Sequence, residues 1–445
     1  MPRITINTPI AFQDSVPEAV EVVVVGGGVI GVFTALYLAR MGKSVFLCEK
    51  GRIAGEQSSR NWGWIRQHGR DEAELPIMMR SLELWHEANA QTDGACGIVT
   101  TGVSYLSSTE RHLAIDEQWL EIARRHGLHS ELLTAKQVSQ SFSGESDGRW
   151  VGGVTTPGDA KGEPWQAVPA VAQLVRQAGG KIRENCAVRT FDIAGGKIAG
   201  VVTEAGTIRC EQVVLAAGAW SSLLARFHGL SLPQLSVRAT VAQTEPMPAF
   251  ASVNCKDEEL AIRRRDDGGY SLAVTDGIDL FLGPDTFRHA FAWRAAALQY
   301  LGELRPSLAA PSGFPDAWST ARKPVTPSVF EKTRVLEPKP NSVYVSKMQK
   351  RFAERFPGIG APVIKESWAG MIDAMPDNVP IVDRAPELPG LVIATGMSGH
   401  GFGIGPGFGS VIARMVSGDN PEFDLSRFRL GRFRDGSKLQ LGPSL

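Results

Sequence analysis

The sequence predicts an α/β + β protein, in which an α/β domain built from separate stretches of chain is interleaved with an antiparallel β domain. Three observations predict it. Four consecutive valines, Val22–Val25, precede a cluster of glycines and then apolar residues at helical spacing, the pattern of a strand buried on both faces that feeds a helix. A second α/β stretch starts near Trp165, and apolar strands return after Trp368. Between them, Ser236 to Thr244 and Leu260 to Thr275 alternate as strands of an antiparallel sheet do.

In chain order, Val32 to Met41 has the spacing of a helix and Ser44 to Glu49 is a second apolar strand, which completes a βαβ unit of about 30 residues. Gln166 to Ala178 reads as a helix stopped by Gly179 and Gly180. Lys181 to Val188 reads as a strand, and Gly200 to Val202 and Thr207 to Ala216 as paired strands around a turn. Helical segments and a proline-rich stretch lie between Arg305 and Pro340, and Lys347 to Phe356 has the pattern of a short amphipathic helix. Gly396 to Gly405 reads as a glycine-rich turn, with a closing helix from Gly409 to Val416. The tail after Leu430 is polar and is expected to be loosely held. On this reading the α/β domain takes residues 18–100, 150–234 and 365–430. The β domain takes 101–149 and 235–364, and 1–17 and 431–445 are termini.

Composition narrows the function classes. The chain has 445 residues, enough for two or three domains at roughly 150 residues each. With 43% hydrophobic and 21% charged residues it is an ordinary globular protein and not a disordered one. Lys plus Arg and Asp plus Glu both number 47, and a net charge of zero argues against nucleic acid as the main partner. Five scattered cysteines show no metal spacing and no disulfide framework, so no metal is expected and a reducing compartment fits. Residues 1–20 lack a secretory pattern. The most apolar stretch, Val22 to Leu38, is short and interrupted by glycines, so no membrane span is expected. A soluble cytoplasmic protein is the expectation; whether it forms a homo-oligomer stays open.

The glycines carry the first chemical signal. Gly26-Gly27-Gly28-Val29-Ile30-Gly31 matches GxGxxG and stands between a strand and a helix, the context of a Rossmann-like dinucleotide site. Gly26 would allow the tight turn, Gly28 the approach of a pyrophosphate, and Gly31 close packing of helix on strand. The free N–H groups and positive dipole end of that helix suit phosphate. Glu49 ends the next strand and can accept both ribose hydroxyls of an adenosine, while repelling a 2′-phosphate. Lys50 follows, and then a loop of small and polar residues, Ala54 to Asn61, that includes Ser58, Ser59 and Arg60. Such a loop can wrap the pyrophosphate and reach the flavin of an extended FAD, whereas an NAD enzyme would return here to another crossover helix. Val213 to Trp220, a buried strand with a small-residue turn at Ala217 and Gly218, could close over the same cofactor. Val188 is counted with that wall.

Together these segments resemble the FAD-dependent D-amino-acid oxidase/glycine oxidase superfamily, from about residue 20 to about residue 420. Within it, Glu49-Lys50, Ile53 to Arg60, Phe330-Glu331-Lys332, Phe356-Pro357, Trp368 to Asp377 and Pro389 to Ile393 are similar to bacterial L-amino-acid deaminases. The sequence departs from those deaminases at Asn61-Trp62-Gly63-Trp64. No counterpart of their N-terminal membrane helix is expected, which leaves the electron acceptor, a quinone or O2, open. Gly399-His400-Gly401-Phe402-Gly403 looks more like glycine oxidases and D-amino-acid dehydrogenases. The resemblance implies a glutathione-reductase-like FAD domain, a substrate domain, and non-covalent FAD.

It implies oxidative deamination of an amino acid, first of L-configuration, by hydride transfer from Cα to flavin N5. A D-amino acid, or a secondary amine such as sarcosine, a cyclic imino acid or an opine, is the alternative. A flavin subunit of a hetero-oligomeric opine-type oxidase is another, and an NAD enzyme a fourth. Such chemistry asks the protein mainly to position the substrate and stabilise the reduced flavin. Holding an α-carboxylate calls for a bidentate cation. By resemblance the strand before the Asp267-Gly268 turn supplies it, with Arg263 the best match and Arg265 second; alternation puts both on one face. Tyr270 could donate to the same carboxylate. The helix after Gly396 to Gly405 would point its N-terminus at the flavin, with His400 polarising flavin or substrate or simply filling the turn. Trp64, Arg66 and His68 could line the flavin face, Gly63 and Gly370 lie in turns beside it, and Trp368 packs there. Cys48 and Cys186 read as core residues.

Overall fold

The computed structural model describes residues 3–142, 148–251, 253–299, 302 and 304–442. The four valines form the centre of a six-stranded sheet. Its order is Ile381–Arg384, Leu391–Thr395, Gln212–Leu215, Val22–Val25, Val45–Cys48 and Lys181–Arg183. All neighbours are parallel except the first pair. Val22–Val25, Val45–Cys48 and Leu391–Thr395 are buried throughout, as the unbroken apolar runs require. Helices Val29–Arg40, Leu75–Gln91, Pro164–Gln177 and Gly401–Ser417 cover one face with a continuous core. A second core lies against the other face, roofed by the antiparallel sheet Val188–Ala194, Lys197–Thr203 and Gly206–Arg209.

The larger sheet runs Leu304–Ser307, Ile278–Phe281, Leu235–Thr244, Tyr270–Val274, Leu260–Arg264, Asn254–Lys256, Val103–Ser107, Gly152–Thr156 and Glu131–Thr134. Ile364–Ala374 also pairs with Leu235–Thr244. Most of it is antiparallel, but two pairings are parallel: Asn254–Lys256 with Val103–Ser107, and Ile278–Phe281 with Leu304–Ser307. Helix Ser342–Arg355 packs Tyr344, Met348 and Phe352 on this sheet.

Four local readings need correction. The strand read as Lys181 to Val188 is two strands, Lys181–Arg183 and Val188–Ala194, because Asn185 takes a left-handed φ of 50° between them. Thr207 to Ala216 is likewise two strands, one in the hairpin and one in the parallel sheet. The tail is tied down at Leu430–Phe433, where the buried Arg432 donates to Asp377 and to the Val379 carbonyl. Most informative is the glycine-rich stretch. The turn stops at His400, and Gly401–Ser417 is one helix that includes Gly403, Gly405, Pro406, Gly407 and Gly409.

Its glycines serve packing. A Cβ on Gly405 would stand 2.5 Å from Val29 Cγ2, and one on Gly409 would stand 2.6 Å from Phe33 Cβ and 2.9 Å from backbone atoms of Phe33 and Thr34. Pro406 removes the N–H that would have bonded the Phe402 carbonyl. The Trp85 indole N–H donates to that carbonyl instead (3.1 Å). The Ser81 hydroxyl donates to the Gly403 carbonyl (2.8 Å) and accepts from the Gly407 N–H (3.1 Å), so side chains of a neighbouring helix repair the ladder.

An alanine in a helix ordinarily gains up to about 1 kcal/mol over glycine. Here the sign depends on position. Gly409→Ala should lower stability by about 1–3 kcal/mol, since backbone cannot move aside. Gly403→Ala, whose nearest neighbours would be 3.5 Å away, should be neutral or stabilising. Denaturant unfolding of the two variants checks this; equal effects would contradict it.

Candidate functional site

Two cavities meet at the carboxyl end of the parallel strands. The first encloses about 1160 Å³, its open mouth included. Its floor is the strand–helix turn. Gly26 has φ 111°, and a Cβ there would stand 2.4 Å from the Ala216 carbonyl oxygen; one on Gly31 would stand 2.0 Å from the Gly26 oxygen. Gly28 differs: only Ser58 Oγ lies near its would-be Cβ, and its backbone faces the cavity. Helix Val29–Arg40 has no side-chain N-cap, and Val29 N–H donates to Ser58 Oγ (2.9 Å). Glu49 is clamped, Oε2 accepting from Gly27 N–H and Oε1 from Gly51 N–H at 2.7 Å each. Burial nevertheless pushes its carboxyl up to about 7, with Lys50 opposing.

The predicted cofactor residues divide. Gly26, Gly28, Val29, Ile30, Glu49, Lys50, Ser58, Asn61, Val188, Ala217, Gly218, Trp220, Gly399, Gly401 and Phe402 line this cavity. Gly31, Ser59, Gly63 and Gly370 line neither cavity. Gly31 and Gly370 are packing positions: a Cβ on Gly370 would stand 2.0 Å from Gln57 Oε1. Gly63 (φ 80°) lies under the Gly162 carbonyl, and Ser59 is buried beneath its loop. Arg60, Trp64, His400 and Gly403 belong to the second cavity. Lys50 and Arg60 tie the loop down. Lys50 Nζ bonds Glu56 (2.5 Å) and the Thr333 and Arg334 carbonyls and lies over the Trp220 ring, while Arg60 donates to the Leu336, Ala369 and Gly55 carbonyls. Trp368 donates its indole N–H to the Arg60 carbonyl and packs beneath this loop. Sequence reasoning missed Asp373, which lines the first cavity and accepts from Gly396 and Met397 N–H; burial raises its pKa.

The second cavity, about 1090 Å³, adjoins the first through shared lining residues Gln57, Asn61, Gly399 and Phe402. Trp62 and Trp64 form an edge-to-face wall. Arg66, Arg70 and Lys256 line it, and no Asp or Glu does. None of the three forms an ion pair among the described residues. Lys256 Nζ lies 4.3 Å from the centre of the Tyr105 ring and Arg66 Cζ 5.7 Å from it. Arg70 is only 6% exposed; its Nε donates to the Arg66 carbonyl, and burial with Arg66 beside it pulls its pKa down to about 9. His400 Nε2 is 2.9 Å from Glu74 Oε1 and its Nδ1 3.1 Å from the Ser398 carbonyl. Burial opposes the Glu74 carboxylate, yet His400 and the arginines hold it below its usual range, and burial keeps His400 below the ordinary histidine value. Both ring nitrogens of His400 therefore face acceptors, the Glu74 carboxylate and the Ser398 carbonyl.

The expected carboxylate anchors are elsewhere. Arg263 is 1% exposed and spends its guanidinium on Glu163 (2.9 and 3.1 Å) and the Gly162 carbonyl. Arg265, on the same face as alternation requires, pairs with Asp267 and stacks 4.3 Å from the Trp165 ring centre. Tyr270 is buried against Phe250, donates to the Pro248 carbonyl, and lines neither cavity. The face carrying the arginines meets the α/β core, so they are the buried charges of an interface and not ligands of a cavity. His68 is likewise packed, between Tyr105 and Trp119, with Nδ1 3.1 Å from Thr156 Oγ1. Of the trio after the loop, Arg66 and Trp64 reach the cavity. The Arg66-x-x-x-Arg70 spacing was a signal in the sequence. Lys256 gave none, because only the parallel register Lys256 to Tyr105 brings it in.

Gln57 Oε1 is buried at the junction with no hydrogen-bond partner among the described residues. With the open Gly28 backbone, the helix N-terminus and the clamped Glu49, it makes the first cavity fit an extended dinucleotide whose far end reaches the junction. The chain belongs to the family of FAD dependent oxidoreductases, whose model matches residues 21–415. FAD is its cofactor, and it is an oxidoreductase in class. It superimposes on the structure of L-amino acid deaminase from Proteus myxofaciens in complex with anthranilate with a TM-score of 0.89 at 27% identity, over 98% of this chain and 100% of that one. The L-amino acid deaminase from Proteus vulgaris gives 0.88 at 25%, over 95% and 99%. Among curated relatives, sarcosine oxidase subunit beta of Arthrobacter sp is 26% identical over 94% of this chain and 93% of its own length. Human mitochondrial sarcosine dehydrogenase is 21% identical over 94% of this chain, which spans only 42% of it. Among the described residues no helix is long and apolar enough to cross a membrane, and no cluster fits a metal.

If the Arg263–Glu163 pair is an internal strut, Glu163→Met alone should cost about 3–5 kcal/mol by stranding a buried cation, and Arg263→Met/Glu163→Met should recover most of that. Additive losses in denaturant unfolding would contradict the pairing.

Proposed function

We propose that this chain oxidises the C–N bond of a small amino acid or amine, with a carboxylate of the substrate held by Arg66, Arg70 and Lys256. The observation that carries the reading is a cation-lined chamber without a carboxylate, opening from the dinucleotide cleft through Gln57, Asn61, Gly399 and Phe402. The Gly26–Gly28 turn and the N-terminus of helix Val29–Arg40 would hold the pyrophosphate, Glu49 the ribose, and the N-terminus of helix Gly401–Ser417 the negative charge at the far end. FAD, when bound, supplies the two-electron acceptor that turns CH–NH into C=N. The parallel-sheet part of the chain would then be the cofactor domain and the larger sheet the substrate domain.

The protein's own contribution is position and field. Arg70, buried in the chamber wall and in no ion pair among the described residues, would anchor the carboxylate. Trp62 and Trp64 wall the chamber and exclude water from the substrate's apolar part. The same cations lower the pKa of an ammonium group beside them, so the amine is presented in the neutral form that oxidation requires. L-amino acids are the first choice, supported by the fit to the two deaminases. The match to sarcosine oxidase subunit beta over nearly its whole length favours a secondary amine as second reading, with or without a partner chain. Five buried cysteines, none in a disulfide, support a reducing compartment such as the cytoplasm.

Anaerobic titration of the purified yellow protein with L-, D- and N-methyl amino acids should bleach the flavin spectrum with one class. A colourless protein, or a flavin no amine reduces, would sink the proposal. Glu49 adds a pH dependence. Ribose hydroxyls favour the ionised carboxylate, and in the free chain its pKa is about 7. FAD affinity should therefore hold above pH 7 and fall by up to about tenfold per unit below it. Glu49→Gln should bind FAD more weakly and with a flat profile; the same slope in the variant would exclude Glu49 as the cause.

A further inference from the structure

Arg66 and Arg70 stand on a loop outside any helix or strand, so their direction has to be set by something else. Just before that loop Trp64–Ile65 pairs with Ala160–Lys161, Ile65 opposite Ala160, and Val99–Thr100 pairs with the same strand. Continuing that register, Asp159 faces Arg66 where the ladder ends. Beyond that point its carboxylate does the accepting. Oδ1 accepts from Gln67 N–H (2.7 Å) and from the Gln67 side-chain amide (3.2 Å), and Oδ2 from His68 N–H (3.3 Å). The backbone of Asp159 is fixed in turn: its N–H donates to the Thr156 carbonyl (3.1 Å), and its carbonyl accepts from Thr101 and Gly102 N–H (3.1 and 2.8 Å). Asp159 is 0% exposed and lines neither cavity. The loop itself curls on its own carbonyls. Arg66 Nη1 donates to those of His68 and Gly69, Arg70 Nε donates to that of Arg66 (3.2 Å), and Gly69 turns the chain with φ 66°. Where both guanidinium groups point therefore follows from where residues 66–69 lie, and Asp159 fixes two of those four.

We propose that Asp159 is a positioning residue for substrate binding: by accepting the N–H groups of Gln67 and His68 it aims Arg66 and Arg70 at the substrate carboxylate without touching the substrate. This rests on the amine-oxidation reading and adds a residue to it. Asp159 also acts on Arg66 and Arg70 through its charge, from outside the chamber lining. The two roles have opposite consequences. As a negative charge beside an anion site, Asp159 repels the substrate carboxylate, and neutralising it would tighten binding. As the clamp of the loop, its loss releases both arginines and weakens binding; a displacement of about 1 Å in a positioning group can cost up to about a hundredfold. Arg66 beside it offsets the charge of Asp159, so the clamp decides the sign. An asparagine has nearly the same shape and keeps one acceptor for Gln67, but it turns an NH2 group toward His68 N–H, where donor meets donor.

The test uses the FAD-loaded protein at fixed ionic strength and about pH 8, where a carboxyl that burial pushes up to about 6 is ionised. Redox-inert acetate is titrated by its perturbation of the flavin absorption. Whichever of L-alanine, D-alanine and N-methylglycine bleaches the flavin is followed by its anaerobic bleaching rate. Asp159→Asn should weaken acetate binding at least about fivefold, against the electrostatic expectation, and raise the half-saturating amine concentration by a similar factor. The limiting bleaching rate should change less than about threefold, because the anchor holds ground and transition states alike. Hydrogen exchange on the wild type keeps the proposal testable if the variant does not fold: Gln67 and His68 N–H should be protected like those of strand Val22–Val25. Fast exchange at those two amides, or acetate binding in Asp159→Asn as tight as in the wild type or tighter, overturns the positioning role and leaves amine oxidation standing. A wild-type flavin that acetate does not perturb and no amine bleaches overturns the amine-oxidation reading and this role with it.

Discussion

The site depends on how closely helix Gly401–Ser417 lies on helix Val29–Arg40. Gly405 and Gly409 meet Val29 and Phe33 where no Cβ would fit, and Gly31 meets the Gly26 carbonyl in the same way. Because these surfaces are nearly flat, the two helices start side by side, and residues from both first turns (Val29 and Ile30, Gly401 and Phe402) line one cavity. Two positive helix ends therefore converge on one cleft; neither N-cap residue supplies a side-chain cap, and Ser58 takes the Val29 N–H. Gly→Ala costs of about 1–3 kcal/mol at such contacts are the energetic measure of that convergence. Pro406 sharpens the arrangement: its missing N–H is made good by Trp85 and Ser81, which lock helix Leu75–Gln91 against the same helix.

Charge then separates structure from site. The molecule uses buried arginine–carboxylate pairs as struts between its two sheets and its helices, with every hydrogen bond of Arg263 directed to Glu163, Gly162 or Ser271. Beside the cleft the chamber lining carries Arg66, Arg70 and Lys256 and no acid; the carboxylates that act on Arg70, Glu74 and Asp159, stand outside the lining. His400 and Glu74 sit between these regimes, a hydrogen-bonded pair at the rim of the chamber. A ligand that supplies negative charge is the natural complement of the chamber, just as a pyrophosphate is the natural complement of the cleft.

What was legible in the sequence was local. Val22–Val25, the glycine turn and Glu49 lie within one βαβ unit, where spacing alone fixes who meets whom, and the structure places Val25, the turn from Gly26 to Ile30, and Glu49 around the first cavity, with Gly31 at the helix–strand contact. Alternation also put Arg263 and Arg265 on one face correctly. It could not say what that face meets, and Glu163, about a hundred residues away, meets it. The glycine-rich stretch was read as a turn because glycine and proline oppose helix in isolation; tertiary contacts with Val29, Phe33, Trp85 and Ser81 override that propensity. Lys256 was invisible for the same reason, since it joins Arg66 and Arg70 only through a parallel strand pairing.

Gly28 offers the most direct test that the first cavity is a cofactor site and not a packing defect. Its φ of −76° suits any residue, and a Cβ would meet only the Ser58 hydroxyl, at 3.1 Å, a contact that a shift of a few tenths of an ångström relieves. Gly28→Ala should therefore fold as the wild type does. Calorimetric titration of the cofactor-free variant with FAD should show affinity reduced by at least about tenfold, with unchanged thermal stability in the absence of FAD, because the methyl group occupies the approach of the pyrophosphate. Wild-type affinity in that variant would contradict the placement of the cofactor over this turn.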